Sequence, residues 1–541
     1  MQNLQQNRLF PEKGPERLRD SILAFLLSVC GSLFIGDQEI FQSDVLYISA
    51  VVQDLFSGLS LLTWNFTPAP YFFPDLTFYS LFYSVLDHSL SLRLYGIVQS
   101  GFVAFFLMRL FSPPGKRYGI FRLLFSLQFL ALIYYQDFYA FLYLPGMHCS
   151  SFLFTLILFH RIRHEELLPW KGLYIILMAL VLVSDRLFAV QAIFPTLISL
   201  LYANRLRKKN PDYGRRVPRM RVHYWIKVVG LALLLGIVLS LLVTFTLNTG
   251  KTVSISVGKS FLAFAGDIKK GFGFPLLFYF QCMMLIVFSS FLLHRVLLAT
   301  ETEIRRWDRP SLVFYGRISS SNLLFFIWLP VMAALITGAY VDAYSIRYFA
   351  GSFIVSNAGI LSIACSLGNR PSAHLSRFIG PISMAFRRSG PIVLAALILV
   401  FLISDRFFSK ESNLQAEIPS TTWPYHYPDY VQCLDALEPS PAVIMADYWH
   451  SKSIYLFSRN KVISYHADYR TGQPSNVISN ASWWENRWPP QAVYMANLSQ
   501  ELIKGALGPP DRIVKCQSVL ETSPGATTGP FQLAPVWIYS H

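Results

Sequence analysis

Charge is scarce in this chain. Asp, Glu, Lys and Arg make up 14% of its 541 residues, against 53% hydrophobic and 16% aromatic residues. A water-soluble enzyme built around one large core is excluded, because apolar runs near the roughly 20 residues of a bilayer span recur from Ser21 to Ile403. Cysteine is also sparse, with six in all and none at metal-ligand spacing; Cys30, Cys149, Cys282 and Cys365 lie in or beside apolar segments and read as packing residues. His426, His450 and His466 have no ligand spacing either and read as surface residues. No internal repeat is visible, so an inverted-repeat transporter finds no support. No small-residue cleavage site follows the first apolar stretch, which therefore reads as a retained span behind a polar leader, residues 1–19.

What is present is an excess of base, 46 Lys and Arg against 31 Asp and Glu, for a formal charge of +15. The basic residues do not form a phosphate-tracking face, and nucleic acid is not expected as a partner. They fall in alternate loops: Arg8 to Arg19, Arg109 to Arg122, Arg161 to Lys171, Arg205 to Lys227, Arg295 to Arg317 and Arg370 to Arg388. The positive-inside rule puts these loops and the N-terminus in the cytoplasm. Between them we count about eleven spans, near 20–36, 90–110, 119–135, 147–160, 171–184, 187–203, 227–247, 275–294, 322–340, 350–367 and 390–404. The expected fold is a polytopic α-helical membrane protein, residues 20–405, with a long first outer loop at 37–89. An odd count places residues 406–541 on the outer side.

Several outer stretches carry chemistry. Gly36-Asp37-Gln38-Glu39, followed by Asp44, is the densest acidic cluster beside an apolar span. Carboxylates there either cap and solvate a helix end or face a water-filled cavity. Val45, Ile48, Val52, Leu55 and Phe56 lie at helical spacing opposite Ser49, Gln53 and Ser57, a pattern for a helix in the membrane interface. Trp64 to Asp75 adds three prolines and five aromatics, including Trp64 and Tyr71, and shapes the loop or an acceptor pocket. Asp75 reads as the cap of a helix starting at Leu76. Arg186, Arg347 and a lysine such as Lys269 are outward cations that run against the topology bias, suited to a lipid phosphate or to snorkelling.

After Ile403 the chain turns polar. Val443–Ala446 and Lys461–Tyr465 read as strands around a helix from His450 to Phe457, with further strands at Ala492–Met495, Arg512–Lys515 and Val536–Tyr539, and a helix at Gln500–Leu507. This is a small α/β domain. Cys433 and Cys516 are its only cysteines, and outside the cytoplasm they are expected to form a disulfide.

A first span ending in Asp37-Gln38-Glu39, a long outer loop with an interfacial helix, the Pro68-Ala69-Pro70-Tyr71-Phe72 turn and the Ser345-Ile346-Arg347-Tyr348-Phe349 element together resemble the GT-C superfamily of membrane glycosyltransferases. Protein O-mannosyltransferases and lipid A aminoarabinose transferases are the nearest comparisons. The resemblance implies an inverting glycosyltransferase that moves a sugar from a polyprenyl-phosphate or polyprenyl-diphosphate donor to a glycan, lipid or protein acceptor. The setting would be the outer face of a bacterial cytoplasmic membrane, in cell-envelope assembly. Asp37 is the first choice for the base, with Glu39 and Asp44 orienting the acceptor or holding a divalent cation, Mg or Mn. Arg186, Arg347 or Lys269 would hold the leaving phosphate. Gln38 departs from the adjacent acidic pair of that family, which leaves open which carboxylate acts. A flippase for a lipid-linked glycan and a non-enzymatic membrane assembly protein are the competing readings. For the topology, a reporter fused after His541 is expected to be active outside the cytoplasm, and activity inside would overturn the span count.

Overall fold

The computed structural model describes residues 14–35, 43–112, 118–135, 137–163, 170–209, 219–250, 255–270, 275–297, 310–341, 343–367, 429–437, 443–460, 462–468, 473–475, 478–483, 492–496, 508–514 and 536–540. Its helices are α1 (Gly14–Ser32), α2 (Ser43–Phe56), α3 (Thr77–Tyr83), α4 (His88–Phe111), α5 (Tyr118–Tyr135), α6 (Cys149–Arg163), α7 (Lys171–Ser184) and α8 (Phe194–Lys209). There follow α9 (Arg219–Thr246), α10 (Val257–Lys270), α11 (Pro275–Leu297), α12 (Pro310–Ile336), α13 (Ala350–Leu367), α14 (Asp429–Asp435) and α15 (Tyr448–Phe457). Ten of the segments read as spans are helical along most of their length, and the eleventh, 390–404, lies outside the described residues. Four described helices are long and apolar enough to cross a membrane: His88–Phe111, Val222–Thr246, Phe278–Leu297 and Ile318–Ile336. Tyr118–Tyr134, Lys171–Ser184 and Ala350–Ser366 are shorter apolar helices.

These helices turn large apolar side chains outward. On α9, which packs on α7 and α8, Leu231, Leu234, Ile237, Leu241 and Leu242 are all exposed. A helix with such a face is stable in hydrocarbon, not in water. The same two-sidedness shapes α5: Phe121, Phe125 and Phe129, four residues apart, stack inward at 5.9 and 5.7 Å, while Leu123 and Leu127 point out. At one end of the bundle the buried Asp20 accepts from Tyr118 (2.6 Å) and Arg122 Nε (2.6 Å) and pairs with Arg109 (3.4 Å), so one carboxylate ties α1, α4 and α5 together. The described residues are those of a helical membrane protein.

At the other end lies the segment that begins with α2. The apolar spacing predicted a helix with one face in the interface, but most of α2 is buried: Val45, Leu46, Tyr47, Ile48, Ser49, Val52 and Asp54 are all covered, and Phe56 at its end is exposed. The reason is cover from two directions: α15 packs along the side that carries Ser43, Asp44 and Asp54, and Gln53 of the polar side meets His88 of α4 (2.7 Å). Asp54, with no exposed surface, accepts from Trp64 Nε1 (2.8 Å), Asn480 Nδ2 (2.7 Å), Trp483 Nε1 (2.9 Å) and Tyr455 OH (2.5 Å). Burial raises the pKa of this carboxyl, and the four donors oppose the rise. Beside it Trp64 and Trp483 meet edge to face at 5.4 Å, and Asn65 N donates to Ser479 O (2.9 Å). A short parallel pair, β1 (Asn65–Phe66) and β2 (Asn248–Thr249), ties the same loop to the chain after α9.

The strands β3 (Val443–Ala446), β4 (Ile463–Asp468), β5 (Gln473–Pro474), β6 (Ala492–Ala496), β7 (Arg512–Val514) and β8 (Val536–Ser540) form one sheet in the order β5-β4-β3-β6-β8-β7. β3 is parallel to β4 and β6, and the remaining pairings are antiparallel. All four β3 residues are buried, as a central parallel strand requires. The expected helix 500–507 lies outside the described residues. Asp447 caps α15 by accepting from His450 N (3.0 Å). His450 is therefore not a surface residue: it is buried, with Nδ1 2.6 Å from Asp447 Oδ1. Cys433 is disulfide-bonded, and its expected partner Cys516 lies outside the described residues.

Asp54→Leu strands three buried donors and the half-buried Tyr455 hydroxyl and is expected to cost on the order of 3 kcal/mol. A fall in the thermal midpoint of the detergent-solubilised protein checks this; an unchanged midpoint would remove Asp54 as the clamp.

Candidate functional site

Prolines 68, 70 and 74 forbid a regular helix in the loop after β1, and the backbone there bends into Tyr71, whose φ of 54° is left-handed. Tyr71 N donates to Ser184 O (3.1 Å) and Phe73 N to Ser184 Oγ (2.7 Å), which pins the turn to the end of α7. A second left-handed stretch lies opposite: Gly146 (φ 70°) and His148 (φ 65°) lead into α6. A Cβ on Gly146 would stand 3.3 Å from both Ile48 and Tyr71, so glycine lets this turn approach the first loop. Left-handed tyrosine and histidine in contact mark a place where surrounding packing holds backbone strain.

The strain aims His148 at a buried carboxylate. His148 Nδ1 lies 3.0 Å from Asp185 Oδ2, which also accepts from Ser151 Oγ (2.6 Å), and Asp185 Oδ1 accepts from Leu187 N (3.0 Å). Burial alone would raise the Asp185 pKa, but the charge and hydrogen bond of His148, with the donors of Ser151 and Leu187, hold it below the ordinary carboxylate value. The other ring nitrogen, Nε2, is 3.2 Å from Tyr71 OH, and the imidazole rests against the Tyr348 ring at 5.1 Å. Asp75 lies next to this group but does not cap a helix as expected. It is buried, and its carboxylate accepts from Tyr95 OH (2.8 Å) and Gly146 N (3.0 Å), while the start of α3 has no side-chain cap. Asp75 thereby joins the two loops.

Arg347 sits on the turn Ala343–Tyr348, its guanidinium 5.6 Å from the centre of the Tyr348 ring. Its NH1 is 3.8 Å from Asp44 Oδ2 at the first turn of α2, and its Nε is buried without a hydrogen-bond partner. Asp44 Oδ1 accepts from Tyr448 OH (2.5 Å) of α15. Lys452, one turn further along α15, is 2% exposed, with its ammonium 4.6 Å from the centre of the Tyr448 ring. Burial lowers its pKa from 10.5 to about 8, and the Asp44 charge opposes that fall.

Of the residues singled out from sequence, Asp44, Tyr71 and Arg347 come together at one rim, with Asp75 behind them. Trp64 belongs instead to the Asp54 clamp, where it has no exposed surface and shapes the loop rather than an acceptor pocket. Arg186 and Lys269 are exposed and take no part in the contacts described. Asp37 and Glu39 lie outside the described residues. His148, Asp185, Tyr448 and Lys452 are additions. The Pro145-Gly146-Met147 turn and the Ser184-Asp185-Arg186 break signal the first two, and no pattern signals Lys452. Among the described residues no three His, Cys, Asp or Glu side chains converge as a cation site. Asp44 faces an arginine, a poor setting for a metal ligand. Compared with family models, curated proteins and solved structures, the chain matches none.

Because Lys452 gives up its proton more readily when folded, the unfolded chain binds more protons between pH 8 and 10.5. Stability contributed by this residue is therefore lowest below pH 8 and rises through that window. Lys452→Met is expected to raise the thermal midpoint at pH 7, with the difference from wild type shrinking as pH approaches 10.5. A difference that does not change with pH would refute the assignment.

Proposed function

We propose that this chain is an inverting membrane glycosyltransferase that takes a sugar from a polyprenyl-phosphate or polyprenyl-diphosphate carrier. The carrying observation is the meeting, at one rim of the bundle, of Asp44, Arg347, Tyr71 and the His148–Asp185 pair. These residues come from parts of the sequence far apart and are the types that acyl-chain packing never requires. The apolar helical bundle accords with this reading, which takes the chain to cross the membrane about eleven times with the rim and the α/β domain outside the cytoplasm.

The chemistry runs as follows. The acceptor hydroxyl oxygen attacks the anomeric carbon, the bond from that carbon to the phosphate oxygen breaks, and the polyprenyl phosphate or diphosphate leaves as an anion. Arg347, with a planar fork of donors and an Nε free of other partners, holds that anion and stabilises its growing charge. Asp44 has one oxygen on Tyr448 and the other toward Arg347, so it orients the guanidinium. The hydroxyl proton passes to a carboxylate of the preceding segment, Asp37 before Glu39, a transfer worth roughly 10²- to 10⁴-fold. His148, oriented by Asp185, fixes the Tyr71 hydroxyl at the floor of the site. A cation has no donor set among the described residues, and no step is assigned to one.

Folded Arg347→Gln and Asp37→Asn variants are expected to abolish sugar addition to an outer-face glycan, lipid or protein while lipid-linked donor accumulates. Asp44→Asn should lower the rate on the order of tenfold by loosening Arg347. Mass spectrometry of extracted carrier lipids and of the glycosylated products reads both effects; normal products from the Arg347 and Asp37 variants would end the enzyme reading.

A further inference from the structure

Two cations flank Asp44, and one carboxylate cannot neutralise both. Arg347 approaches it from the bundle and Lys452 from the C-terminal α/β unit. Among the described residues Lys452 makes no ion pair, and the only partner of its ammonium is the Tyr448 ring. The nearby His148 and Asp185 already pair with each other, and Asp447 is taken by His450. Among the described residues, one positive charge at this rim is left without an anion. Holding a buried ammonium in that state costs stability, a cost that a ligand-binding site offsets when its anion arrives.

We infer that Lys452 is a second phosphate-binding cation of the site, so that the C-terminal α/β unit and the membrane bundle each supply one half of a clamp for a lipid-linked phosphate. The inference rests on the glycosyltransferase reading and adds a residue that its sequence motifs do not contain. Arginine offers directional donors and lysine a compact point charge, a combination suited to the several oxygens of a phosphate or diphosphate. The lipid-linked form is favoured by the surroundings. Directly after the Tyr71 turn, α3 exposes Phe78 and Leu81, followed by Val85, an apolar flank along which a polyprenyl tail can lie. The Tyr448 ring lies against the ammonium and its hydroxyl is bonded to Asp44, so the tyrosine links Lys452 to the Asp44–Arg347 pair.

Full-length protein in phosphatidylcholine nanodiscs is to be titrated with a polyprenyl phosphate, with the uncharged polyprenol and with inorganic diphosphate. Lys452→Met is expected to weaken polyprenyl phosphate binding about tenfold, the worth of one partly screened charge contact, and to leave polyprenol unchanged. Full-strength binding by Lys452→Met beside a loss in Arg347→Met overturns the Lys452 assignment and leaves the proposed function standing. Equal binding of polyprenyl phosphate and polyprenol by the wild type overturns both. A loss confined to inorganic diphosphate would identify a site for free anions and overturn the lipid-linked form. Wild-type protein gives an arm independent of any variant: polyprenyl phosphate should slow cyanate carbamylation of Lys452 several-fold, and labelling at an unaltered rate refutes the contact.

Discussion

A carboxylate with no exposed surface holds this molecule's two parts in register. Asp54 draws donors from Trp64 in the first loop and from Tyr455, Asn480 and Trp483 in the C-terminal unit. All four point at one carboxylate, so removing it takes away the acceptor that each of them uses. The contacts at the rim follow from that clamp. Tyr455 and Tyr448 lie on the same helix, and seating the first on Asp54 seats the second on Asp44. The site is thus assembled by docking, and its geometry is only as firm as the clamp.

Inside the bundle the design is different. Tyr71, His148 and Asp185 are held by backbone: two left-handed residues, a glycine that permits close approach, and main-chain bonds to Ser184. Asp185 is saturated by His148, Ser151 and Leu187, which keeps the imidazole oriented. Between this floor and the docked α15 stand Arg347, Tyr448 and Lys452.

Hydrophobic length and alternation made the helices legible, and β3, β6, β7 and β8 begin at the residues where their patterns begin. Such signals are local, set by burial of each segment against its own neighbours. The site was legible only in part. Asp44, Tyr71 and Arg347 stand out because charge or proline breaks an apolar pattern. Lys452 lies in an ordinary amphipathic helix, and nothing local distinguishes a lysine that will be buried from one that will be solvated. The reading of α2 as a helix with one open face missed its burial: Gln53 of the polar face bonds His88 of α4, and the Asp44 and Asp54 side is covered by α15, encoded some 400 residues later. Asp75 failed at shorter range, since the residue after a proline suits a cap and only the fold reveals Tyr95 and Gly146 as its partners.

The distance along the chain between α2 and α15 also sets an order of events during synthesis. At about 5–20 residues per second, the ribosome reaches α15 on the order of half a minute after finishing α2. Throughout that interval Asp54 lacks Tyr455, Asn480 and Trp483, and Asp44 lacks Tyr448. A nascent chain therefore completes the helices of the bundle before the rim exists, and a product truncated ahead of α15 lacks the cover over Asp44 and Asp54.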